Sequence, residues 1–136
     1  MKIALLMTFI FTVVFCFAQT NNTKSKPVKI VLSYGIDKYV VTKDSILYDP
    51  LKAEESNTGF VHNKKRKQIL INQKTFLQII DYVDAILKNT SIHTTKLEKG
   101  TVFLDVITNS KEKSVRLLNA KETEQFLYYL KKLLNN

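Results

Sequence analysis

The sequence predicts an α+β fold, a two-layer sandwich with an antiparallel sheet and two helices packed on one of its faces. Three observations predict it. Short runs with apolar residues at every second position cluster in 28–48 and 101–118, turn residues separate them, and two longer runs with helical apolar spacing occupy 72–89 and 119–136. Neither a hairpin nor a one-sided helix can bury its apolar face alone, so each layer needs the other.

In "VKIVLSY", Val28, Ile30, Leu32 and Tyr34 fall on one face and Lys29 and Ser33 on the other, as in a strand buried on one side. "GIDK" turns the chain. "YVVTK" and "ILY" continue as strands rich in β-branched and aromatic residues, separated by Asp44-Ser45 and stopped by Asp49-Pro50. Residues 51–63 are polar, with Asn57 and Gly59 marking a loop anchored only by Phe60 and Val61. "KQILIN" is the next short strand.

A helix follows in "NQKTFLQIIDYVDAILKN". Asn72 is a suitable N-cap, and Phe76, Ile79, Ile80, Val83, Ile86 and Leu87 form its apolar stripe. After a polar connector at 89–100, "TVFLDVIT" and "KSVRLL" flank "NSKE" and predict a hairpin. The last helix is predicted to start at Asn119 as N-cap, with Glu122 completing a capping box. Thr123, Phe126, Leu127, Leu130, Leu133 and Leu134 are its buried stripe.

The N-terminal run has a different character. Lys2, the apolar run Ile3 to Phe17 and the small residue Ala18 have the layout of a secretory signal peptide. The run is shorter than the stretch of about 20 apolar residues that spans a bilayer. The expected organisation is a signal peptide at 1–18, a flexible polar leader at 19–27 and a single α+β domain at 28–136, placed in the periplasm or outside the cell. Cys16 is the only cysteine. Phe15 before it is too large for a lipoprotein cleavage site, so lipid anchoring is not expected. Cleavage after Ala18 leaves no thiol, which removes disulfides, cysteine nucleophiles and thiolate metal sites.

The chain carries a formal net charge of +9. Its catalytic vocabulary is thin. His62 and His93 are the only histidines, both in connectors, whereas zinc needs three or four ligands. Ser33 lacks the flanking glycines of a nucleophile elbow. Asp81 and Asp84 share a solvated helix face, and Asp37, Asp44 and Asp49 sit at turns, where aspartate commonly satisfies backbone donors. No glycine loop cradles phosphate. The expectation is a protein without cofactor, metal or catalytic residues.

"VHNKKRKQIL" holds the one concentrated feature, the consecutive cations Lys64, Lys65, Arg66 and Lys67. With Phe60 and His62 they are the candidate binding residues; Lys24, Lys26 and Lys29 are possible helpers. One reading makes the run the solvated entrance of a strand, blunting a sheet edge. The other makes it a grip for an acidic protein, an anionic polysaccharide or a lipid surface. Export and the lack of aromatic interleaving argue against nucleic acid.

"YVVTKDSILY" followed by a basic stretch, a helix, a hairpin and a final helix resembles a group of short exported proteins of Bacteroidota type, in which a Tyr-x-Val-Thr-Lys-Asp-Ser-Ile-like stretch also follows a first strand. The ending "FAQ" at Phe17 to Gln19 fits the same group. The resemblance implies export and carries no activity with it. The leading functional expectation is a small non-catalytic binding protein, of the build of inhibitors and immunity proteins that block a hydrolase or toxin. The alternative is a cationic module for anionic polysaccharide or lipid.

Overall fold

The β1–β2 hairpin is the centre from which the rest is assembled. Its strands, β1 (Lys29–Tyr34) and β2 (Asp37–Thr42), meet at Gly35, whose φ of +58° is a conformation that L side chains rarely adopt. In this computed structural model, which describes residues 26–51 and 64–136, four more strands follow: β3 (Ser45–Tyr48), β4 (Lys67–Leu70), β5 (Val102–Ile107) and β6 (Glu112–Leu117). They form one antiparallel six-stranded sheet in the order β4-β3-β2-β1-β5-β6. The chain thus meanders from β1 to the β4 edge, then crosses back through a helix to place β5 beside β1. The expected leader lies largely outside the described residues, as do Phe60, His62 and most of the 51–63 loop.

That crossing helix is α1 (Gln73–Lys88). Asn72 caps it as expected: its side chain accepts a hydrogen bond from the Thr75 N–H at 2.9 Å, pairing one of the donors that a helix start leaves free. A single 3-10 turn, Thr90–Ile92, ends the crossing. His93 then bridges to Leu117, and its ring Nε2 donates to the Ile86 carbonyl at 3.0 Å, so this histidine is half-buried against the end of α1. The same segment covers part of the β6 edge through Thr94 N–H to Arg116 O (2.9 Å) and Leu118 N–H to Ile92 O (2.8 Å).

The second helix, α2 (Lys121–Asn135), corrects the expected cap. Ala120 occupies the N-cap position with extended backbone and no side-chain hydrogen bond, while Asn119 lies outside the helix. Glu122 turns away from the role of capping-box partner and accepts a hydrogen bond from Asn89 Nδ2 at 3.1 Å, tying the start of α2 to the end of α1. The helices run antiparallel. Tyr82 of α1 stacks on Phe126 and Tyr129 of α2 with ring centroids 5.6 and 5.1 Å apart, and the Tyr129 hydroxyl donates to Gln78 Oε1 at 2.8 Å.

Period-two alternation puts Ile30, Leu32, Tyr39, Val41, Ile46, Val102, Leu104 and Leu117 on one sheet face, where they meet the apolar stripes of both helices in one continuous core. The predicted α+β sandwich, with both helices on one face, is therefore the observed fold. Phe76, Ile79, Val83 and Ile86 supply α1's share of that core; Thr123, Phe126, Leu127, Leu130 and Leu134 supply α2's.

Candidate functional site

Strand register and the last turn of α2 build a recess at one corner of the sandwich. Asp37 and Tyr39 stand two apart on β2 and so share a face; Tyr39 lies opposite Tyr48 of β3, and Tyr48 opposite Lys67 of β4. All four therefore face the helical layer. α2 ends above them, contributing Lys131, Leu134 and Asn135, and the stretch entering β4 contributes Lys64 and Lys65. The recess encloses about 260 Å³.

Its floor is a hydrogen-bonded cluster. The Tyr48 hydroxyl donates to Asp37 Oδ1 at 2.6 Å, and Lys64 Nζ donates to the same oxygen at 2.7 Å. The Asp37 side chain is only 10% exposed and that of Lys64 48%, so the carboxylate is buried and its cation reaches down from the rim. Tyr39 packs its ring 5.3 Å from that of Tyr48. Lys67 Nζ donates to the Leu134 carbonyl, where a cation suits the negative end of the α2 dipole and satisfies one of its free acceptors.

Ionisation follows from this packing. Burial alone would raise the Asp37 pKa, but the hydrogen bonds from Lys64 and Tyr48, with the charges of Lys64 and Lys131, outweigh it and hold the carboxyl below its ordinary 3.8. Burial and the Asp37 charge push the Tyr39 phenol up to about 12. Tyr48 is pushed up as well, by burial first and then by its hydrogen bond to Asp37. Both phenols stay protonated at neutral pH, which makes them hydrogen-bond donors and poor general bases.

The structure brings Lys64, Lys65 and Lys67 together at this recess, as the sequence grouped them. Arg66 points elsewhere, with Nε 3.6 Å from Asp49 Oδ1 in an exposed pair of the kind that contributes little. β4 is an edge strand of the sheet, so the run also does what its structural reading required, placing charge at an exposed edge. Among the described residues, Lys65 and Lys131 make no ion pair. Of the helpers, Lys26 lines a different cleft beside α1 and β5, and Lys24 lies outside the described residues.

Sequence reasoning missed Asp37, Tyr39, Tyr48 and Lys131. Asp37 was expected to serve a local turn, and it serves instead as the buried counter-charge of a lysine 27 residues away. No local pattern marks such a partner. Among the described residues, no three His, Cys, Asp or Glu side chains are grouped to hold a metal ion, and no helix is long and apolar enough to cross a membrane.

The Asp37 cluster makes stability depend on acid. A carboxyl whose pKa is lowered by folding binds protons more readily in the unfolded chain, so its contribution is complete above 3.8 and is lost as pH falls through the folded-state value. Denaturant titrations at about pH 6 and about pH 3 should show a loss of stability in the wild type that is smaller in Asp37→Asn. At neutral pH, Asp37→Ala should cost about 2 kcal/mol, since it removes two hydrogen bonds to a charged group and leaves the Tyr48 hydroxyl without its acceptor.

No protein-family model, curated protein or solved structure matches the chain.

Proposed function

We propose that this chain is a small exported binding protein that grips an acidic surface of a protein partner at the basic corner, and that it acts by occupancy, as inhibitors and immunity proteins do. The observation that carries this reading is the convergence of Lys64, Lys65, Lys67 and Lys131 on one recess, where Lys65 and Lys131 make no ion pair among the described residues. Lysine ammonium groups suit a carboxylate, which accepts charge-assisted hydrogen bonds from them. The low-lying Asp37 charge keeps Lys64 in place and excludes a second anion from the deepest point, so an incoming carboxylate meets Lys65 and Lys131 at the rim.

The alternative partner is an anionic polysaccharide or lipid surface. Counterion release on a polyanion rewards many free cations along a strip. Lys64, Arg66 and Lys67 already have partners within the chain, which concentrates the remaining charge at one point and favours the compact acidic epitope. The proposal of export rests on the apolar run before Ala18 and makes Gln19 the first residue of the mature protein.

The test is capture from periplasmic extract of the expressing cell with the wild type and with Lys65→Glu/Lys131→Glu. A stoichiometric partner should elute from the wild type at moderate salt and should not be retained by the double variant. Equal capture by both would overturn the assignment of the corner.

A further inference from the structure

A second cleft, of about 600 Å³, opens between α1 and the β5–β6 side of the sheet, away from the basic corner in the strand order. Its walls are Ile80, Val83 and Leu87 of α1 with Val106 of β5. The cleft exists because the helical layer stops short of the start of β6. Lys113 pairs with Val106 in register and therefore stands on the helix-facing side of the sheet, yet it is exposed. A fully covered sheet would bury an apolar residue there.

The rim is cationic. Lys26 stands ahead of β1, Lys88 ends α1, Lys111 precedes β6 and Lys113 follows within it, against Asp84 as the one carboxylate lining the cleft among the described residues. Apolar walls beneath a ring of ammonium groups match an amphipathic anion: a chain that leaves water along α1 and a head group that remains among the lysines.

We infer that this cleft binds one free fatty acid, with its hydrocarbon chain against the half-buried Ile80 and Leu87 and its carboxylate among Lys88, Lys111 and Lys113. A concave cleft of about 600 Å³ has room for a single chain, whereas a bilayer surface would need protruding apolar residues. The large exposed apolar side chains Leu70, Leu97 and Tyr128 lie outside this cleft. The inference is independent of the basic corner and of the partner proposed for it.

Titration calorimetry with dodecanoate below its micelle concentration tests it. The wild type should take up about one equivalent saturably, while dodecanol, which has the chain without the charge, should bind roughly tenfold more weakly or worse. Lys88→Gln/Lys111→Gln/Lys113→Gln should lose a similar factor with dodecanoate and keep its thermal midpoint, because all three side chains are exposed. Lys65→Glu/Lys131→Glu should bind dodecanoate like the wild type. Absence of saturable uptake, equal affinity for dodecanol, an unaffected triple variant, or association only with phosphatidylglycerol vesicles would each overturn the inference.

Discussion

Phe126→Ala should lower the stability of the protein by about 3 to 5 kcal/mol, the range for removing a buried aromatic ring. The ring is fully buried and lies where three components meet: the core face of the sheet, the apolar stripe of α1 and the stacked face of Tyr82. Its loss leaves a cavity in the core, and it also removes one of the two ring stacks on Tyr82 that join the helix pair. A domain of this size is stable by only about 5 to 15 kcal/mol, so the variant should unfold at visibly lower denaturant with an unchanged slope. Lys132→Ala, on the exposed side of the same helix, should leave the midpoint where it was.

Deleting residues 120–136 should abolish folding. The deletion removes Phe126, Leu127, Leu130 and Leu134, each no more than 6% exposed, and uncovers the sheet residues packed beneath them. At about 1.5 to 3 kcal/mol for each fully buried apolar side chain, the loss reaches the whole stability of a typical domain. Lys67 loses its carbonyl partner and Glu122 leaves Asn89, so β4 and the end of α1 are released as well. Circular dichroism and gel filtration should find an unfolded or aggregated chain. A truncated protein that stayed monomeric and melted cooperatively would make α2 a detachable element.

The fold was legible because its determinants are local and periodic. Alternation in "VKIVLSY" and the stripe from Phe76 to Leu87 each specify a face, and two kinds of one-sided element admit few arrangements. Asn72 was legible as a cap for the same reason: the residue and its partner lie three positions apart. Asn119 was misleading because the capping-box pattern is equally local, while the residue that claims Glu122 comes from the far end of α1. The position of β5 beside β1 is likewise decided by a crossing that no short pattern encodes.

The candidate site divides along the same line. Lys64, Lys65 and Lys67 are adjacent in sequence and were visible as a charge run. Their counterparts come from β2, β3 and the last turn of α2, and only strand register and helix docking bring them together. Asp37 shows the difference most plainly. At a turn its carboxylate has backbone donors within reach, yet the register turns it inward toward Tyr48, and burial then makes Lys64 the partner that decides its charge.

Amide chemical shifts of the purified protein, followed during titration with a short capped peptide of glutamates, test the basic corner most directly. The predicted result is a saturable perturbation confined to Lys64 to Lys67, Tyr48 and the last turn of α2, weakened by added salt and abolished in Lys65→Glu/Lys131→Glu. Perturbations centred elsewhere, or none at these positions at low salt, would contradict the account.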